Sequence, residues 1–263
     1  MSSEVVPGLF IAGTMFLAGL LTYLFRNRPN YAIGVRTGYT FLSGEAWKKT
    51  NEFAGKAFMV LGLFLGILSF TANIGLLTAV MLAGVALIVK RSLVIAKETA
   101  ELEDLSTPAE GEPNPIEKVN VKPYLAVQLI LMLSYLILLA VSWERMPETI
   151  AVHFNDQGIP DRFEPKAVGA FLIPVGISLF ILGLTYLGRD PVVLRIPKGN
   201  TKVARILLEI LTATQLIIWG ALVYSLLYNA YSFSSPVLLE AMVIGIVGLI
   251  IVETARLILA QKI

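Results

Sequence analysis

Apolar positions along this chain gather in long uninterrupted blocks rather than recurring on one stripe of a helix. Val5–Phe25 carries no charge and stops at Arg26-Asn27-Arg28-Pro29. A helix needs about 20 mostly apolar residues to cross the hydrocarbon layer, so this block predicts a span. No small-residue cleavage motif follows it, so it reads as a retained helix rather than a signal peptide. Tyr124–Trp143, Ala167–Leu187, Ile206–Tyr228 and Val237–Ala260 predict four more spans. Ala57–Val89 would run about 50 Å as one helix, too long for a bilayer without severe tilt. A turn at Phe70–Asn73 divides it into two, the first starting near Phe53.

The charges favour that division. With seven spans and the N-terminus outside, 18 of the 21 Lys and Arg residues fall on inner loops or the inner C-terminal end. Only Arg145, Arg162 and Lys166 lie outside. Inner loops carry an excess of basic residues, whereas six spans would put strongly basic loops on both faces. The predicted fold class is all-α: a polytopic helical membrane protein with seven transmembrane helices, N-out and C-in.

Composition agrees. Of 263 residues, 56% are hydrophobic and 15% charged, with no cysteine and a mean hydropathy of +0.74. Soluble domains carry about 25% charged residues, so disorder, a coiled coil and a disulfide-built secreted scaffold are excluded. The net charge of +2 gives no reason to expect a nucleic-acid partner. Residues 98–122 read as a cytoplasmic linker, a polar helical continuation followed by a stretch with Pro108, Pro113 and Pro115. It separates a three-helix half, 1–97, from a four-helix half, 123–263.

Two loops are richer than spacers. The inner one runs from Asn30 through Gly34, Arg36 and Thr37 to Trp47. Ser43 suits an N-cap with Glu45 in the first turn, starting a helix that carries Trp47 to the interface level. The Gly-, Tyr- and Thr-rich piece before it predicts an extended or re-entrant segment. A basic juxtamembrane anchor and a coupling loop both suit it. Arg36 sits between Gly34 and Gly38 and is not needed for orientation. It is expected to be hydrogen-bonded within the fold, to loop carbonyls or to an acid such as Glu52, because a guanidinium fork matches such partners.

The outer loop alternates with a β period over Thr149–Phe154, Ile150, Val152 and Phe154 sharing one face. Asn155-Asp156-Gln157-Gly158 is a turn with glycine where positive φ is cheap. A small hairpin-like outer loop is predicted, with His153, the single histidine, on the opposite face together with Asn155. His153, Asn155, Asp156 and Asp161 are the candidate ligand-binding residues. The alternative is a purely structural hairpin with an internally bonded histidine. One histidine falls short of the three protein ligands of catalytic zinc, so no metal and no cofactor are expected.

Within the spans, Glu209, Gln215 and Glu240 are the polar candidates. Intramembrane acids usually face a partner or water. Glu209 is expected to pair with Arg205, and Glu253 with Arg256, on shared helix faces. Glu240 lacks a local cation. Pro174 inside its span removes a backbone donor and predicts a kink.

Pro147, Ile150, His153, Phe154, Asn155, Gly158, Pro160 and Asp161 together resemble the signature of a prokaryotic membrane-domain family of unassigned function. Asn30, Ile33, Gly34, Arg36 and Thr37, followed by Trp47, Thr50, Asn51 and Gly55, resemble the signature of the SdpI family. That family's multi-spanning proteins imply a role in immunity to a secreted antimicrobial toxin and in signalling through a repressor held at the membrane. The family's usual order is reversed here, the Gly-x-Arg-Thr loop preceding the His loop, and the family's Trp after His is Phe154.

The resemblance implies a plasma-membrane protein of binding, immunity or signalling type, contacting membrane lipid, an extracellular peptide and a cytosolic regulatory protein. One alternative is a proton-coupled small-solute transporter using Glu209 or Glu240. The other is an outer-surface hydrolase with His153 as base. No Gly-x-Ser-x-Gly and no cysteine supply a nucleophile, so no catalytic residue is assigned.

Overall fold

The computed structural model describes residues 5–30, 32–71, 73–104, 118–155, 157–190, 192–193 and 201–261. Among these, seven helices are long and apolar enough to cross a membrane. The chain is a multi-pass membrane protein. They are α1 (Val5–Leu24), α3 (Gly44–Leu68), α4 (Ile74–Asp104), α5 (Lys122–Ser142), α6 (Ile173–Leu187) with the turn before it, α7 (Thr201–Tyr231) and α8 (Pro236–Gln261). A short α2 (Gly38–Leu42) precedes α3, and an antiparallel hairpin of β1 (Thr149–Phe154) and β2 (Pro160–Pro165) lies between α5 and α6. Each span appears where the apolar blocks placed it, and Ala57–Val89 divides at a turn between Leu68 and Ile74. The proline-containing stretch after Asp104 lies outside the described residues.

The chain forms two compact units. The first comprises Met1–Lys118 with Asp190–Gly199, the second Val119–Arg189 with Asn200–Ile263.

In the first unit α1 and α3 approach closely. A Cβ on Gly62 would meet the backbone of Phe16, and one on Gly55 would meet Tyr23, each at 2.6–2.7 Å. The core between α1, α3 and α4 is built on Ala12, Leu65 and Leu77. In the second unit Tyr135, Leu139, Met146, Ile150, Ala170 and Leu226 form the core, so the hairpin contributes to it directly.

The helix is irregular just before Pro174. The span opens with one π-helical stretch, Ala167–Leu172, and the regular α-helix begins at Ile173. Pro174 has no N–H to offer the carbonyl of Ala170, and the buried Tyr135 hydroxyl donates to that oxygen instead at 2.7 Å. The irregular backbone is thereby satisfied from a neighbouring helix, as a membrane interior requires.

Candidate functional site

The hairpin is held from behind. The side chain of Asn229 on α7 accepts from the Ala151 N–H at 2.8 Å and donates to the Ala151 carbonyl at 2.9 Å. Ser225 donates to the same carbonyl at 2.6 Å. An amide that both donates and accepts can complete a backbone edge as a further strand would. Phe154 lies edge-on to Tyr224 and Tyr228, with ring centroids 5.2 and 4.9 Å apart. Gly169 lies directly under the sheet, where a Cβ would come within 2.7 Å of Val152 and 3.1 Å of Ile150. The buried Glu164 completes the inward side of β2.

The opposite face is polar and open. The imidazole Nδ1 of His153 lies 2.5 Å from Oδ1 of Asp161, with their side chains 59% and 47% exposed. Arg162 stands across from His153 in the strand register and is also exposed. Asn155, grouped with the ligand-binding residues, works within the turn. Its side-chain oxygen accepts from the N–H groups of Gln157 and Ile159 at 3.0 and 2.9 Å. Gly158 adopts φ 74° as the turn requires. Asp156 lies outside the described residues. Among the described residues, no group of three or more His, Asp and Glu stands close enough to hold a metal ion.

The Asn30–Trp47 loop is organised inward. The Asn30 oxygen accepts from Ala32 and Ile33 N–H at 2.9 and 2.7 Å. Asn51, fully buried on α3, accepts from the Val35 N–H at 2.7 Å and donates to the Trp47 carbonyl at 3.0 Å. Gly34 has φ 102° and presses against the Asn51 amide. Thr37 caps α2 reciprocally with Thr40, and Ser43 caps α3.

Trp47 is buried within this unit, 1% exposed, with its indole N–H donating to the Phe25 carbonyl at 3.2 Å. Of the extended or re-entrant segment predicted there, the extended form does not hold for Gly38–Leu42, a short helix that the Thr37–Thr40 box initiates. Arg36 is an exposed residue, and Glu52, the acid suggested as one partner for it, pairs with Lys56 at 2.6 Å. Tyr39, in contrast, is a buried member of this region that composition does not reveal. Its hydroxyl donates to Asp190 at 2.9 Å, and burial followed by that carboxylate raises its pKa well above the ordinary 10.0.

The polar residues within the spans separate into two groups. Gln128 donates to the hydroxyls of Thr185 and Thr212, at 2.9 and 3.1 Å, and Gln215 donates to Ser178 at 2.9 Å. Thr212 spends its own proton on the Leu208 carbonyl at 3.0 Å, which fixes it as an acceptor and orients the Gln128 amide. Gln128, Thr185, Gln215 and Ser178 are buried among α5, α6 and α7, with Thr212 partly buried beside them. The acids lie elsewhere. Glu209 binds Arg256 of α8 at 2.6 Å rather than its expected partner Arg205, while Glu253 keeps its predicted pairing with Arg256 at 2.8 Å. The tertiary partner wins because Arg256 reaches both carboxylates at once. Glu240 is exposed on α8.

Residues 26–91 match the SdpI/YfhL protein family. Residues 130–177 match a domain of unknown function, DUF1648. The first range contains the Gly34–Thr37 loop, α2 and α3, and the second contains the hairpin. Both resemblances read from the sequence are therefore shown, with the SdpI/YfhL region first in the chain. No curated protein and no solved structure matches the chain.

Proposed function

We propose that this membrane protein, built from an SdpI/YfhL region and a DUF1648 domain, is a binding protein of immunity or signalling type. The His153–Asp161 face of the hairpin meets an extracellular peptide, and the Gly34–Thr37 loop, with Arg36 exposed, meets a cytosolic regulatory protein. The N-out, C-in orientation belongs to this proposal and draws its support from the uneven spread of basic residues. The carrying observation is the contrast within the hairpin. Its back is held by Asn229 and Ser225 and by the Tyr224 and Tyr228 rings against Phe154, while His153, in contact with Asp161, is left exposed on its front. A rigidly backed polar face lowers the ordering cost of binding.

Proton-coupled transport has one observation in its favour: the buried amides of Gln128 and Gln215, whose oxygens have no hydrogen-bond partner among the described residues. Amides carry no proton between states, however, and Glu209 is held by Arg256. Hydrolysis has less support: Asp161 on Nδ1 could orient the ring, but the sequence supplies no Gly-x-Ser-x-Gly and no cysteine as nucleophile.

The test is binding of a secreted peptide fraction to cells expressing the chain, measured with survival of those cells. Wild type is expected to retain peptide and survive. His153→Ala and Asp161→Ala should each lose about tenfold in binding, the effect of a moderate interface hot spot. Equal binding by both variants and wild type would overturn the reading.

A further inference from the structure

The last helix has an unusual setting. No residue in its apolar 18-residue window is buried, yet it is fastened near both ends. Near its start, Pro236 and Leu239 pack on Gly158 of the hairpin turn, 3.3 and 3.7 Å from where a Cβ would stand. Near its finish, Arg256 binds Glu253 of its own helix and Glu209 of α7. Between these fastenings the two helices line an open cavity of about 420 Å³, across which Met242 reaches Gly220. Its wall includes Ala213, Leu216 and Gly220 from α7 and Met242, Gly245 and Leu249 from α8.

The α7 side of that cavity continues into charge. Spacings of three, four and seven residues place Lys202, Arg205, Glu209, Ala213, Leu216 and Gly220 on one helix face. Lys202 and Arg205 are exposed and have no salt bridge among the described residues. Arg256 is shared by two carboxylates, so these two residues bring the five-group cluster to a net charge of +1.

We propose that the α7–α8 slot binds an anionic phospholipid. One acyl chain occupies the apolar cavity, and the phosphate rests against Arg205 and Lys202 at the Thr201 end of α7. A slot inside the hydrocarbon layer with an apolar wall accepts a hydrocarbon chain. The exposed cations beneath it select the headgroup, as basic residues beside membrane helices do. The Arg256 bridge keeps the slot open by joining the helices below the chain without filling the space above it.

The test uses full-length protein in nanodiscs of phosphatidylcholine with chain-labelled phosphatidylglycerol or phosphatidylcholine as probe, reading the immobilised lipid fraction. Wild type is expected to hold phosphatidylglycerol in preference to phosphatidylcholine. Gly245→Leu has open space at its Cβ and fills the slot, so it should abolish the immobilised fraction for both probes while helical content stays unchanged. Arg205→Gln lies on the surface and should lower the preference about fivefold, the loss expected for one basic residue at an anionic headgroup. Equal retention of both lipids by wild type would overturn the proposal, and so would undiminished retention in Gly245→Leu. A wild-type dimer that Gly245→Leu converts to monomer would overturn it too, by assigning the slot to a second copy of the chain.

Discussion

The Gly34–Thr37 loop and the His153 hairpin carry equally dense signatures, but they spend their side chains differently. In the loop, Asn30, Thr37, Trp47 and Asn51 all close hydrogen bonds to nearby backbone, and Gly34 makes room for the Asn51 amide. Of the motif side chains described there, Arg36 is the one that stands exposed. The hairpin divides its signature by face. Ile150 and Phe154 pack inward, Asn155 and Gly158 shape the turn, and His153 and Asp161 are left open. A signature residue in the loop therefore builds backbone, whereas the hairpin, whose register shifts on both sides of His153, both builds and presents.

The largest expected effect breaks the packed side of the hairpin. Gly169→Leu would push into Val152 and Ile150, and overpacking of this kind costs about 1–3 kcal/mol. Thermal unfolding should fall, and the hairpin should become the first site of proteolysis. Next come the two asparagine clamps. Asn229→Ala and Asn51→Ala each strip partners from backbone groups, at Ala151 and at Val35 respectively, and each should cost about 1–3 kcal/mol. Equal losses would support a shared role for the two amides. A silent Asn51→Ala would break the account of the loop.

Tyr39→Phe is a smaller change with a pH signature. Its folded pKa is raised above 10.0, first by burial and then by Asp190, so the folded chain keeps a proton that the unfolded chain releases. The stability from this group is complete below about pH 10 and is lost as pH rises beyond that ordinary tyrosine range. Wild type should unfold above the Tyr39→Phe midpoint at pH 8, and the gap should narrow towards pH 11. A gap that widens with pH would contradict the assignment.

The smallest effects belong to the exposed faces. Arg36→Lys and His153→Ala should each change stability by less than about 1 kcal/mol, as substitutions at exposed sites do. His153→Ala should still lose peptide binding, which separates presentation from folding.

The spans were legible because a bilayer demands length and apolarity, and Val5–Leu24 or Pro236–Gln261 satisfy both locally. The hairpin was legible because alternation and a glycine turn are short-range signals, and its SdpI-side counterpart was visible as a motif. What stayed hidden depended on partners distant in sequence. Asn229 reaches Ala151, Tyr39 reaches Asp190, and Arg256 draws Glu209 away from Arg205. The burial of Trp47 was hidden in the same way, since composition marks an indole near a membrane boundary only as an interface residue. Only the position of the Phe25 carbonyl brings it inside.

The account depends most directly on the two signatures facing opposite sides of the membrane, the hairpin outward and the loop inward. The chain has no cysteine, so a single one is an unambiguous label. Gln157→Cys on the hairpin and Ala32→Cys on the loop, both at exposed positions, would be treated with an impermeant thiol reagent on intact cells. The account predicts labelling of Gln157→Cys at once and of Ala32→Cys only after the membrane is opened. Labelling of Ala32→Cys on intact cells, or protection of Gln157→Cys there, would contradict it.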